Sequence, residues 1–326
     1  DQNVVATFRA DITSLAGGAA QVFASGLLGG TPGFGIYVAL PDGTVFPLPL
    51  APEPARVQII HNAIAPTVDV YAGNVRLLDN FEFRTATPFV NVPAERPVSI
   101  AVAGEDSATP ADAVATYSLN LESGRSYVVM AGGVLLGTPG FDLFINENAR
   151  EVAENPANVE FSLFHGSPNS GPVDVRLLGG PILFDDIAFG EFADYLSVPG
   201  AEYQIAVTPA NDNSSIIASY LANLSGITGS AVTVFASGYR GGLQPGFEVW
   251  VALADGTTFP LPQLVRTNEL EDKLEALQLS PNPTKGDLMI QFNLNSTENL
   301  RYAVRDLAGR MVLEGDFGAV PTGVFN

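Results

Sequence analysis

Cysteine is absent from this 326-residue sequence, lysine occurs only at Lys273 and Lys285, histidine only at His61 and His165, and tryptophan only at Trp250. Each shortage closes a route. Without thiols there is no disulfide, no thiolate nucleophile and no cysteine-ligated zinc. Fifteen basic residues against 35 acidic ones leave a net charge of −20, which argues against nucleic acid and anionic lipid as partners, because both need basic patches. No apolar run approaches the roughly 18 to 20 residues of a membrane helix, so membrane insertion is not expected. No signal peptide opens the sequence at Asp1, so an exported form has its leader outside it. The acidic excess reads as a solubilising surface. Calcium is the one cofactor it invites, since carboxylate and carbonyl oxygens suit hard cations; no other cofactor is expected.

The sequence repeats itself. Val22-Phe-Ala-Ser-Gly26 returns as Val129-Met-Ala-Gly-Gly133 and as Val234-Phe-Ala-Ser-Gly238, each followed by Pro-Gly-Phe at 32–34, 139–141 and 245–247. PDGTVFPLP at 41–49 recurs as ADGTTFPLP at 254–262. A second set links VQIIHNAIAPTVDVY, 57–71, with FSLFHGSPNSGPVDVRL, 161–177. The period of about 106 residues is that of a domain rather than of a solenoid repeat. Complete units are expected at 51–155 and 156–266. Residues 1–50 match only the second half of a unit, as a fragment would, or as would a domain completed by another chain. A linker is expected at 267–278, with a further small domain at 279–326.

Each unit reads as strands. Val159, Phe161, Leu163 and His165 alternate onto one face. The Pro-Gly pair before Phe247 predicts a type II turn with glycine at positive φ. Asp42-Gly43 and Asp255-Gly256 predict hairpin turns, and the apolar runs Ser126–Met130 and Ala231–Phe235 suit sandwich cores. Asn268–Leu277 is the one helical pattern, or else a charged linker. The fold class that follows is all-β, with tandem antiparallel Ig-like β-sandwich domains.

The strand ending in His61, then Asn62-Ala63 and Val68-Asp69-Val70-Tyr71, resembles the opening of the DUF4397 family. His165, Gly166-Ser167-Pro168 and Val173-Asp174-Val175 resemble a second copy. The resemblance implies a β-sandwich module of bacterial surface and secreted proteins with no assigned chemistry. Leu279-Ser-Pro281-Asn282-Pro283-Thr284, Gly286, the strand Leu288–Phe292, Asp306, Gly309 and Gly323 resemble a type IX secretion (type A) sorting domain, cut short at Asn326. That likeness implies the type IX machinery as a partner and an extracellular or outer-surface location in a Bacteroidota-type bacterium.

Candidate site residues are few. His61 and His165 occupy equivalent positions, as a metal ligand or acid–base pair would; the structural reading has each closing a strand end by bonding backbone carbonyls. Asp69 and Asp174 follow, to orient the imidazoles or to cap turns. Asp106 and Asp112, and Asp212 between Asn211 and Asn213, are candidate calcium ligands or solvated hairpin ends. Asp185 and Asp186 are neighbours, so on a regular strand they face opposite ways and form no dyad. No nucleophile elbow, zinc-protease, P-loop or dinucleotide motif is present, and catalysis is not expected. A structural or adhesive surface protein is the first reading, self-associating into filaments through open sheet edges. The alternative is a glycan- or ligand-binding module presenting outward aromatics, Tyr37 and Trp250, with Phe34 and Phe247 in the core.

Overall fold

A computed structural model describes residues 5–64, 67–264, 274–280, 289–294, 298–305 and 311–325. They form two compact units, residues 1–217 with 221–261, and residues 262–326 with 218–220. The first unit opens with a three-stranded sheet: β1 (Gln21–Ser25), β2 (Gly35–Ala39) and β3 (Val45–Pro47).

Repeat A follows. It contains β4 (Ala55–His61), β5 (Val68–Ala72), β6 (Val75–Phe81), β7 (Val90–Val92), β8 (Pro97–Gly104), β9 (Ala113–Asn120), β10 (Ser126–Gly132) and β11 (Asp142–Asn146). They make two sheets, ordered β6-β5-β8-β9 and β11-β10-β4-β7. Repeat B contains β12 (Asn158–His165), β13 (Val173–Leu177), β14 (Ile182–Ile187), β15 (Phe192–Pro199), β16 (Glu202–Pro209), β17 (Ala218–Asn223), β18 (Ala231–Ser237), β19 (Glu248–Ala252) and β20 (Thr258–Pro260). Its sheets run β14-β13-β16-β17 and β15-β12-β18-β19-β20. The all-β sandwich expectation holds, with one difference. In each repeat the opening strand pairs in parallel with the late strand: β4 with β10, placing His61 opposite Ala131, and β12 with β18, placing His165 opposite Ala236. Sequence alternation does not reveal the direction of pairing between strands some 70 residues apart.

The apolar runs at 126–130 and 231–235 become the late strands, and their continuity has a physical cause. Alternate residues point into the repeat's own sandwich, as Tyr127 and Val129 do. The others, Val128 and Met130 in repeat A and Phe235 in repeat B, point out of it into a shared core with Ile60 and Phe164. A sheet buried on both faces has no polar face to alternate with. Four sheet layers therefore stack through this unit, and three hydrophobic layers hold them together.

One local expectation changes and one holds. The Pro-Gly pairs do not form type II turns: Thr31–Pro32, Thr138–Pro139 and Gln244–Pro245 are cis, and positive φ falls on Gly26, Gly133 and Gly238 instead. Those three glycines are forced by close approach, for a Cβ on Gly238 would lie 2.1 Å from the Gly246 carbonyl oxygen. The Asp-Gly hairpins form as expected. Asp42 and Asp255 accept the amides of Thr44 and Thr257 at 2.8 and 2.9 Å, with φ near 90° at Gly43 and Gly256.

The second unit holds β21 (Leu274–Ser280), β22 (Met289–Leu294), β23 (Glu298–Arg305), β24 (Met311–Val320) and β25 (Gly323–Phe325), in sheets β21-β22-β25 and β23-β24. Phe292, Leu294 and Val320 form its small core. Residues 274–280 are thus a strand, not the end of a helix or linker; Leu274, Glu275 and Gln278–Ser280 belong to an antiparallel ladder with β22. Residues 268–273, and Pro281, Asn282, Pro283, Gly286, Asp306 and Gly309, lie outside the described residues. Gly323 opens β25.

Candidate functional site

The repeat signature sits where the opening strands end. His165 is fully buried; its Nε2 donates to the Gly171 carbonyl oxygen at 2.8 Å, and the Ser167 amide donates to Nδ1 at 3.3 Å. Burial pushes its pKa below the ordinary histidine value, more than the Gly171 hydrogen bond and the Glu191 carboxylate raise it. The ring therefore stays neutral and latches the 166–171 loop. Asp174 does not orient it. His61 is equally buried, with its ring centroid 5.7 Å from that of Phe81 and 6.4 Å from that of Phe83.

Asp69 and Asp174 sit beneath matched bulges. Each accepts the amide of a residue with positive φ at 2.8 Å, Asn80 for Asp69 and Asp186 for Asp174. Beyond that the repeats diverge. Asp69 also accepts the Ser107 amide and hydroxyl, and Arg76 lies 3.5 Å away. Burial raises its pKa, but these bonds and the arginine outweigh burial and hold the carboxylate ionised. In repeat B, Asp185 and Asp186 take the corresponding place. The register shift in β14 and the positive φ at Asp186 turn both neighbours toward Asp174, and an oxygen of each lies within 4.8 Å of the others. The expectation that adjacent carboxylates diverge fails because a bulge breaks the period of two. Desolvation and the facing charges of Asp174 and Asp186 raise the pKa of Asp185.

The calcium candidates are not brought together. Asp112 accepts the amides of Ala108 and Thr109, Asp212 accepts the amide and hydroxyl of Ser214, and the Asp106 amide donates to Asn80. Among the described residues, Asp174, Asp185 and Asp186 are the one group of three close metal-type ligands.

The most elaborate constellation joins the two repeats. Arg84 of repeat A has positive φ, and its guanidinium lies 4.8 Å from the Phe83 ring and 5.3 Å from the Trp250 ring. It donates to the Ser237 hydroxyl at 2.9 Å and the Gly246 carbonyl at 2.8 Å, and pairs with Glu248. Gln58 donates to the carbonyls of Thr87 and Leu253 at 2.9 and 2.7 Å. The matching position in repeat B is Gly190, whose amide donates to His165 O as that of Arg84 donates to His61 O. Against Gly190 lies Phe144 of repeat A, which occupies the position of Trp250. Phe144 thus meets the 189–190 segment of B, and Trp250 meets the 83–84 segment of A. The contact is reciprocal, as across a two-fold axis. Trp250 points out of its own sandwich as expected, but into the neighbouring repeat. Phe34, expected in the core, is 37% exposed beside Phe8. Sequence reasoning missed Arg84, Gln58 and Phe144; an arginine at the place of a glycine in an internal repeat was the available signal.

Two hollows stand out among the described residues, an enclosed apolar void and an open polar groove. The interior of repeat B has an apolar void of about 90 Å³ bordered by Phe161, Val175, Phe184 and Val234, less than the roughly 150 Å³ that accepts benzene in an engineered core. At the border of the repeats an open groove contains Arg125, Arg150 and Tyr195. Both arginines there are engaged, Arg125 with Glu122 and Arg150 with Glu160 and over the Tyr195 ring.

Two tandem sandwiches, each with a buried His/Asp signature committed to its own loops, define a class of repeated all-β module. The sequence pattern described as a domain of unknown function, DUF4397, matches residues 55–176 and again 159–251, and the chain belongs to that family. No curated protein matches it.

Proposed function

We propose that this is a non-catalytic structural protein of the bacterial exterior, adhesive through self-assembly and exported by the type IX machinery. The observation that carries the assembly reading is the open edge of β1. Its counterparts β10 and β18 each hold an opening strand in parallel, whereas β1 pairs with β2 alone among the described residues. All five β1 residues are exposed, and the strand carries no charge and no proline. An edge without such blocks accepts a further strand. The export reading rests on the likeness of residues 279–326 to a sorting domain.

The test uses a bacterium with type IX secretion. The chain is expected outside the cell, and in ordered fibres by electron microscopy; deleting residues 279–326 is expected to keep it inside. Undiminished export of the deleted form sinks the export reading, and isolated particles at high concentration sink the filament reading.

A further inference from the structure

One edge strand is closed in repeat B and open in repeat A. The sequences match, Thr116-Tyr117-Ser-Leu-Asn120-Leu121 in β9 against Ser219-Tyr220-Leu-Ala-Asn223-Leu224 in β17. In repeat B the segment after the Asp255-Gly256 hairpin, Phe-Pro-Leu-Pro at 259–262 and then Gln263-Leu264, returns along β17. Gln263 bridges Tyr220 in antiparallel fashion, and the Leu264 amide donates to the Ser219 carbonyl at 2.7 Å. Beneath this cover Ser219 and Tyr220 are 2% and 1% exposed. The first copy of the hairpin does the same. Phe-Pro-Leu-Pro at 46–49 leads to Leu50, which bridges Phe8, and the Ala51 amide donates to the Thr7 carbonyl at 2.8 Å.

Repeat A has no such segment. After β11 its chain turns to repeat B, where Val152 bridges Ser230 and the Ala153 amide donates to the Gly229 carbonyl. Among the described residues β9 pairs with β8 alone. Thr116 is exposed and Tyr117 half-buried. The eight residues of β9 include no charge and no proline, while the opposite margin of the same sheet, β6, is guarded by Arg76, Asp79 and shifts of register. A strand residue turns its N–H and C=O to one side. The Leu264–Ser219 bond therefore sets both groups of Ser219, and by the match both groups of Thr116, on the outer side.

We infer that β9 accepts an added antiparallel strand from a partner protein, an extended, uncharged segment of the Phe-Pro-Leu-Pro kind. The occupant follows from the two covered copies, where the same kind of edge is closed by the same sequence. Main-chain bonds hold such a strand, and its prolines leave no further edge to pair. Both Phe-Pro-Leu-Pro segments of the chain are already committed, to Phe8 and Tyr220, so the strand for β9 is a partner's. The site lies on β9, not on β1, and stands whether or not the export and fibre readings do.

Fluorescence anisotropy of a labelled peptide of residues 258–264, titrated with the whole chain, tests it. Saturable binding is expected. It should weaken at least about tenfold when the peptide is N-methylated at the Leu264 position, which removes the main-chain donor and leaves the protein untouched. Thr116→Pro takes away an outward N–H and no bond to β8, and should weaken binding as much. Ser118→Lys, at a side chain already exposed, puts a charge on the edge and gives a second reading. Circular dichroism checks that both variants keep their strands. No binding up to about 1 mM overturns the proposal. Binding that the N-methyl group leaves unchanged, or that both variants leave unchanged, places the peptide elsewhere and overturns it equally. A chain that dimerises in sedimentation velocity, and is monomeric as Thr116→Pro, gives the edge to a second copy and overturns the choice of occupant.

Discussion

Phe235→Ala probes the shared layer most directly. The ring has no exposed surface and lies on β18, facing the layer that contains Ile60, Met130 and Phe164. Truncating a core phenylalanine costs about 3–5 kcal/mol through lost transfer energy and the residual cavity. That is a large part of the roughly 5–15 kcal/mol by which a domain is stable. The structure supplies its own control: Phe23 holds the matching place but is 39% exposed, so Phe23→Ala should cost under about 1 kcal/mol in the monomer. Because Met130 belongs to the same layer, Met130→Ala and Phe235→Ala should be coupled by about 0.5–3 kcal/mol. Urea denaturation is followed by circular dichroism and by the fluorescence of Trp250, whose ring sits beside Arg84 of the other repeat. Loss of the Trp250 signal should coincide with unfolding of both repeats. A cost below about 1 kcal/mol for Phe235→Ala, or strict additivity of the pair, would refute the shared core.

Two further outcomes follow from local chemistry. Burial lowers the pKa of His165 in the folded state, so its contribution is present above the unfolded value of about 6.5 and is lost as pH falls toward the depressed folded value, by at most about 1.4 kcal/mol per pH unit. Comparing wild type with His165→Gln by denaturation at pH 7.5, 6 and 5 should show the difference shrinking with acidity; a constant difference contradicts the neutral, latched ring. Gly238→Ala combines a φ of +81° with a Cβ 2.1 Å from the Gly246 oxygen. The dihedral alone costs about 1–3 kcal/mol, and a calorimetric transition shifted by less than that would show that the loop gives way freely.

Much of this fold was written in short-range patterns. The hairpins at Asp42-Gly43 and Asp255-Gly256 and the strand ending at His165 follow from turn chemistry and alternation, which act over a few residues. What escaped was decided at longer range or by exceptions to period. The parallel β4–β10 and β12–β18 pairs join residues distant in the chain. Asp185 and Asp186 converge on Asp174 because one residue takes positive φ. The continuous run at 126–130 marked burial without saying that Val128 and Met130 face a second repeat. The charged pattern at 268–277 suggested a helix, yet 274–280 lie in a β ladder, where tertiary pairing overrides local propensity.

The reciprocity of Phe144 on Gly190 and Trp250 on Arg84 has a mechanical consequence. Neither repeat can turn against the other without drawing an aromatic ring out of its seat and opening the shared apolar layer to water. Under a twisting or pulling force the two repeats therefore answer as one body rather than as two beads on a string.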